Sequence, residues 1–293
     1  MAQTAQAQRK PQARDWPFEV KPLHPALGCE ISGITLAQAV EPKMFGKVYE
    51  AFLDYELILF RGVDLPPATQ VAFAKSFGEV QIHVMNQYQK YPEHPEIYML
   101  TNADKDGKPT GKHPDKGTLH WHTDGSWRER TGQATMMYSE IVPEEGGETE
   151  FADMYAAYDR LPPAMRAKVE GRRAVNHYVY NSVVRGDKQG VDATSQAAHP
   201  VIRTHDETNR KAIYVNRLMT VKIEGMSEQE SDALLNFLFD HCEKPEFVYT
   251  HVWRKGDLII WDNRCSSHAR TDFPSDQRRL LLRTTVKGIC KPY

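Results

Sequence analysis

Seven short apolar runs, at 134–138, 175–180, 199–203, 212–215, 247–252, 257–261 and 280–286, are set apart by stretches rich in Gly, Pro, Asp and Asn. Runs of this length, rich in β-branched and aromatic residues, read as strands. An eighth, Glu56-Leu57-Ile58-Leu59-Phe60, closes on Arg61-Gly62. Each strand leaves ladder groups and an apolar face to cover, so many short strands in one chain point to a sandwich or a barrel. Helices are fewer. Phe45, Val48, Phe52 and Tyr55 share one helical face, and a second helix is expected from Pro66-Pro67 to Gly78. A third opens on the capping-box pattern Ser227-Glu228-Gln229-Glu230 and places Leu234, Phe237, Leu238 and His241 along one stripe, to pack on a sheet. The expectation is a mainly β fold with outer helices.

A chain of 293 residues is one or two domains by length alone, and barrels and sandwiches of this size are often one. We expect a disordered tail over 1–16, polar and without an apolar stretch, and a single domain over 17–293. The 37 Lys plus Arg nearly balance 39 Asp plus Glu, which argues against nucleic-acid or membrane-surface partners held by bulk charge. No apolar run is long enough to span a bilayer. Cys29, Cys242, Cys265 and Cys290 are far apart and form no CxxC pair, as expected of a reduced, cytoplasmic protein.

Chemistry concentrates in Leu119-His120-Trp121-His122-Thr123-Asp124-Gly125. On a strand, His122 and Asp124 would share a face, and His120 with them. His268 follows the 257–261 run, 146 residues after His122. Two histidines and a carboxylate occupy one face of an octahedral iron and leave three positions open, the arrangement of non-heme Fe(II) oxygenases. The plain alternative is a strand-end His and Asp bonded to backbone or water. Arg279 and Arg283, four apart in a hydrophobic run, would share a face with Leu281 and Thr285. Either they line an edge strand and meet water, or each clamps a separate anion. Cys265 is expected to fill core volume, and His251 to be structural.

These pieces together carry a resemblance. Leu59-Phe60-Arg61-Gly62, Phe77-Gly78-Glu79, Trp121-His122-Thr123-Asp124, Val142-Pro143 with Gly146-Gly147-Glu148-Thr149, and Gly256-Asp257 through Trp261-Asp262-Asn263-Arg264 to His268 resemble the taurine dioxygenase and 2,4-dichlorophenoxyacetate dioxygenase (TauD/TfdA) family over about 57–286. The resemblance implies a double-stranded β-helix, or cupin-like jelly roll. It also implies an Fe(II)- and 2-oxoglutarate-dependent dioxygenase that hydroxylates a small acidic substrate with O2, while 2-oxoglutarate becomes succinate and CO2. By position, His122, Asp124 and His268 match the metal ligands. Thr149 and Arg279 match the pair that holds the far carboxylate of 2-oxoglutarate. Arg283 and His83 match substrate-binding positions, and Trp261 is expected to wall the cosubstrate pocket or to lie in the core.

Two positions depart from the taurine-cleaving branch: Asn86 stands where it has a tyrosine, and Thr118 where it has an asparagine. Sulfonates, sulfate esters and aryloxyalkanoates are therefore all candidate substrates. Trp127, Tyr88 and Tyr91 are expected to receive an apolar or aryl body. Asp124 argues against a halogenase, which needs that position vacant. A homo-oligomer, dimer or tetramer, is expected. The rival readings are a jelly-roll zinc hydrolase, which gives Thr149 and Arg279 no task, and a non-catalytic 2-oxoglutarate-binding sensor.

Overall fold

The computed structural model describes residues 14–82, 90–104, 106–111, 117–178 and 196–293. In chain order its elements are β1 (Glu19–Pro22), β2 (Cys29–Ser32), α1 (Leu36–Ala39), α2 (Pro42–Tyr55), β3 (Leu57–Phe60), α3 (Pro67–Phe77), β4 (Tyr98–Thr101), β5 (Gly132–Ile141), β6 (Thr149–Asp153), α4 (Met154–Asp159) and α5 (Pro163–Val169). There follow β7 (Arg173–His177), β8 (Gln196–Pro200), β9 (Ile202–Thr204), β10 (Lys211–Ile213), β11 (Thr220–Ile223), α6 (Glu228–Cys242), β12 (Val248–His251), β13 (Leu258–Asp262), β14 (Ser266–Arg270) and β15 (Leu280–Lys287). The architecture is the mainly β jelly roll that the short runs and the resemblance lead one to expect.

One sheet of seven strands runs β1-β2-β3-β13-β5-β15-β4, antiparallel except for β2 against β3. A three-stranded sheet, β12-β6-β14, faces it. Alternation along β3 and β13 explains why both strands are apolar on two sides. Ile58, Phe60, Leu258 and Ile260 point to the layer of α1, α2 and α3. Leu57, Leu59, Ile259 and Trp261 point inward, against Phe151 and Tyr249 of the smaller sheet. A third cluster packs α4 and α6 on β10 and β11. At roughly 25 cal/mol per Å² of apolar surface, three such clusters supply the main stabilising free energy.

The helices begin and end where their caps require. Pro67 opens α3, and the Ser227 hydroxyl and Glu230 carboxylate form the reciprocal box that opens α6. Leu234, Leu238 and His241 are buried as expected, but Phe237 is 37% exposed and stacks on His241 at the margin of the buried face.

Several strand expectations need correction. The 199–203 run breaks at Val201, whose N–H turns to the Arg172 carbonyl, so that β8 and β9 belong to different sheets. The 247–252 run starts as a 3-10 turn over Pro245–Phe247, and Val252 points out, 62% exposed. The 175–180 run leaves its sheet after His177, and 179–180 lie outside the described residues. Among the described residues, no helix is long and apolar enough to cross a membrane.

Candidate active site

His268 sits in the middle of β14, fixed by its register against Phe151 of β6. The free edge of β14 takes up one further residue: His122 forms an isolated antiparallel bridge with His268, with N–H to carbonyl distances of 2.8 Å in both directions. This bridge brings together residues 146 apart in sequence. It also corrects the strand expectation for 120–124. His122 is a single bridged residue, and Asp124 lies in the turn that follows, where Gly125 adopts φ +74°. The turn, rather than strand alternation, swings the carboxylate back toward the imidazoles. Ligand atoms of His122, Asp124 and His268 all lie within 4.8 Å of one another, and all three residues are buried.

The protonation states suit a cation. His122 Nδ1 is 2.8 Å from the carbonyl of His120, an acceptor only, so Nδ1 carries the proton and Nε2 keeps its lone pair. The role of His120 is thus to orient His122 through its backbone. Burial, then the cost of a second positive charge beside the His122 ring, hold His268 well below the usual histidine range and so neutral, and its Nδ1 is buried without a hydrogen-bond partner. Burial works against ionisation of Asp124, but the Arg283 guanidinium beside it and a hydrogen bond from Thr135 help to outweigh it and keep the carboxylate ionised. Two neutral imidazoles with ring centroids 4.1 Å apart beside one carboxylate form a donor set that fits Fe(II).

Behind Asp124 runs a buried chain that sequence reading missed. Thr135 Oγ1 donates to Asp124 Oδ2 at 2.7 Å and accepts from Asn263 Nδ2 at 2.9 Å. Asn263 Oδ1 in turn accepts from Trp261 Nε1 at 3.0 Å. Trp261, fully buried, therefore belongs to the core, with its ring 4.8 Å from that of His268, and also anchors this chain.

A second group, His205, Asp262 and Cys265, has a comparable spacing. It is already satisfied. His205 Nδ1 accepts from the N–H groups of Glu207 and Thr208, and Nε2 donates to Asp262, which also takes two bonds from the Arg264 guanidinium and one from its backbone N–H. No imidazole lone pair is left for a metal. Cys265 fills core, as expected, and burial pushes its thiol up. His251 is likewise structural, between Tyr249 and Asp257.

Arg279 immediately precedes β15, which lies between β5 and β4, so the edge-strand alternative falls. Its side chain is buried against Gly147, where a Cβ would stand 3.3 Å from Nε, and Nη2 donates to the Gly147 carbonyl at 3.3 Å. Glycine is needed there for that approach and for φ +72°. Burial and the nearby charge of Arg270 push Arg279 down to about 9. It has no carboxylate partner among the described residues, and its Nε is orphaned, so a bound carboxylate would repair both deficits. Thr149, two residues beyond Gly147, accepts from Trp253 Nε1 at 3.0 Å, which leaves its own hydroxyl proton to donate. Arg270 was also missed. It is buried two residues after His268, bonded to Thr118, and shares the Phe273 ring with Arg279 at 5.7 and 5.8 Å. Its spacing from His268 on one strand was the available signal.

Arg283 reaches the triad from β15, with Nη1 3.4 Å from Asp124 Oδ1 and the guanidinium 5.4 Å from the Tyr98 ring centre. It lines a cleft of about 670 Å³ together with His122, Asp124, Thr118 and Trp127. Tyr91 does not line this cleft: it packs against the outer core and bonds Glu140. His83, Asn86 and Tyr88 lie outside the described residues.

A jelly roll whose cleft holds two histidines and a carboxylate, in a chain that also buries an arginine with no carboxylate partner among the described residues, fits the non-heme iron oxygenases. The chain belongs to the taurine catabolism dioxygenase TauD, TfdA family, whose model matches residues 19–285. It is 33% identical over 277 residues to the alpha-ketoglutarate-dependent 2,4-dichlorophenoxyacetate dioxygenase of Cupriavidus pinatubonensis, covering 90% of this chain and 96% of that one. It is 28% identical over 287 residues to the alpha-ketoglutarate-dependent sulfate ester dioxygenase of Pseudomonas putida, with 92% and 90% covered. The crystal structure of AAD-2 in complex with Mn(II) and N-oxalylglycine superposes with a TM-score of 0.83 at 29% identity, with 94% and 98% covered. The protein is thus an enzyme, a dioxygenase dependent on Fe(II) and 2-oxoglutarate.

Proposed function

We propose that the enzyme hydroxylates a carbon next to an ether or ester oxygen in a small organic acid, an aryloxyalkanoate or a sulfate ester, with its residues in the following roles. His122, Asp124 and His268 hold the metal on one face. Fe(II), when bound there, supplies the activation of O2 at the expense of 2-oxoglutarate, which leaves as succinate and CO2. Arg279 and the Thr149 hydroxyl grip the far carboxylate of the cosubstrate and so aim its 2-oxo end at the triad. Arg283 anchors the acid group of the substrate, and thereby fixes which C–H bond lies nearest the metal. Phe151 and Trp261 pack against His268 and keep water from that side of the centre. A hydroxyl placed on a carbon that already bears an ether or ester oxygen gives a product that breaks its C–O bond. We also assign one domain to the ordered chain, since the first and second histidine ligands bridge across it, and a reducing cytoplasm, which the buried thiols of Cys29, Cys242 and Cys265 support.

The observation that carries the site assignment is the convergence of the three ligand atoms within 4.8 Å of one another, in a chain that also buries Arg279 without a carboxylate partner among the described residues. The relatives named above, which act on an aryloxyacetate and on sulfate esters, support the substrate class. The test is to add Fe(II) and 2-oxoglutarate without oxygen, look for the weak visible charge-transfer band, and then screen both substrate classes and alkyl sulfonates for succinate release. No band, together with tight Zn(II) binding and esterase activity, points instead to the hydrolase.

A further inference from the structure

Arg128 lies in the turn after Asp124, at the open mouth, and lines the same cleft as His122, Asp124 and Arg283. Its backbone is held at both ends. The N–H donates to the Gly125 carbonyl at 3.0 Å, and its own carbonyl accepts from His199 Nε2 at 2.9 Å. The guanidinium rests over Trp127, 5.3 Å from the ring centre, and Trp127 stacks on Tyr178 at 4.4 Å and 24°. The side chain is therefore carried on a built aromatic shelf at the entrance.

Its charge is not spent within the described protein. Of the other cations near this rim, Lys287 and Arg130 face Glu79, and Lys291 pairs with Glu129. Arg128 makes no ion pair with a described carboxylate. Arg283, across the cleft, is partly engaged at 3.4 Å by Asp124, the carboxylate that a metal also claims. Arg128 is exposed at the rim, and partial desolvation, then the charge of Arg283, hold it below its ordinary value, so the two guanidiniums feel each other. Two like charges directed into one cleft repel, and a ligand that brings a negative charge to each relieves the repulsion.

We propose that Arg128 is a second anion-binding residue of the substrate cleft, so that the preferred substrates carry two negative charges, one received by Arg283 and one by Arg128. The inference rests on the acid-substrate reading above and narrows it. The Trp127–Tyr178 pair is placed to receive the apolar body between the two acid groups.

The test is calorimetric binding to the Fe(II) and 2-oxoglutarate complex under argon, with two pairs of probes that differ by one charge. These are phenoxyacetate against para-carboxyphenoxyacetate, and hexyl sulfate against hexane-diyl disulfate. In the unmodified enzyme the dianion of at least one pair binds roughly tenfold tighter than its monoanion, and Arg128→Gln cuts that preference to about twofold or less. Arg128→Lys keeps most of it. Arg130→Gln, an equal change of charge on the same rim, leaves it intact, and 2-oxoglutarate binds Arg128→Gln as it binds the unmodified enzyme. Binding of the monoanions without any preference for dianions overturns the inference while sparing the acid-substrate reading. So does a preference that survives Arg128→Gln or that Arg130→Gln abolishes equally. If none of the four probes binds, the acid-substrate reading fails and this inference fails with it.

Discussion

Thr135→Val tests the buried chain behind Asp124 at the point where it touches the metal centre. Valine keeps the β-branched shape, so packing on β5 is conserved, and two bonds are lost at once. The first is a 2.7 Å hydrogen bond to an ionised, buried carboxylate, a class worth about 1.5–3 kcal/mol. The second leaves Asn263 Nδ2, on a fully buried residue, without its 2.9 Å acceptor, at a cost of about 1–3 kcal/mol. The metal-free protein should therefore lose stability of about 2.5–6 kcal/mol, which chemical unfolding measures directly. Loss of the carboxylate's orienting bond should also weaken Fe(II) binding by about 10–100-fold, read by anaerobic titration. Thr135→Ser keeps the hydroxyl and should restore metal affinity while losing only a methyl group's packing. A Thr135→Val enzyme that binds Fe(II) within about threefold of the unmodified one would refute the chain as a positioning device. So would a serine variant as weak as the valine one.

Arg279→Met removes a buried cation that has no described anionic partner, so the cosubstrate-free protein should melt higher. The KM for 2-oxoglutarate should rise by about 100-fold, because a paired charge worth about 3 kcal/mol is lost. Lower melting with an unchanged KM would show that Arg279 is structural. A separate prediction concerns Glu56 and Asp153, a buried carboxyl pair beneath α4 with Arg210 alongside and Asp262, Tyr155 and Cys265 close by. Burial, then the charge of Asp153, raises Glu56 well above 4.5, and burial pushes Asp153 up to about 6. The native pair thus holds a proton that the unfolded chain releases, so its contribution to stability is present at low pH and is lost as pH rises from about 4 through 6 and beyond. Glu56→Gln should flatten that slope in urea melts taken across pH, and an unchanged slope would place the proton elsewhere.

How much of this was legible depends on whether a feature is local. The capping box of α6, the proline start of α3 and the apolar period of α2 are written within a few residues, and the structure has them where the pattern put them. The strand runs were legible as strands but less so at their ends. Val201 and Val252 suit a strand by composition and leave it because of what surrounds them. The eleven-residue step from His268 to Arg279 was readable only through the resemblance, and the seat of Arg279 against Gly147 was not readable at all. No periodicity predicts that a buried guanidinium will lie against a glycine more than a hundred residues earlier. Thr135 carried no signal, being a strand threonine, and Asn263 stood in a resemblance motif without a role until their side chains are seen to meet.

The resemblance motifs themselves divide in two when their contacts are followed. Arg61 of the strand-end piece binds Asp257 of the Gly256-Asp257 piece at 2.8 Å, and Val63 N–H bonds the Gly256 carbonyl. Asp262 and Arg264 pair with each other and with His205, Asp206 and Glu207. These motif residues never reach the cleft; they tie β3 to β13 and brace the turn before β14. Their effect on chemistry is indirect but definite. The 262–264 turn sets where β14 begins, β14 carries His268 at the register that faces Phe151, and its free edge is where the His122 bridge forms. A motif defined by such residues reports the scaffold that makes a triad possible, while Arg283, Arg128 and Trp127, the cleft residues we propose to choose the substrate, lie outside those pieces.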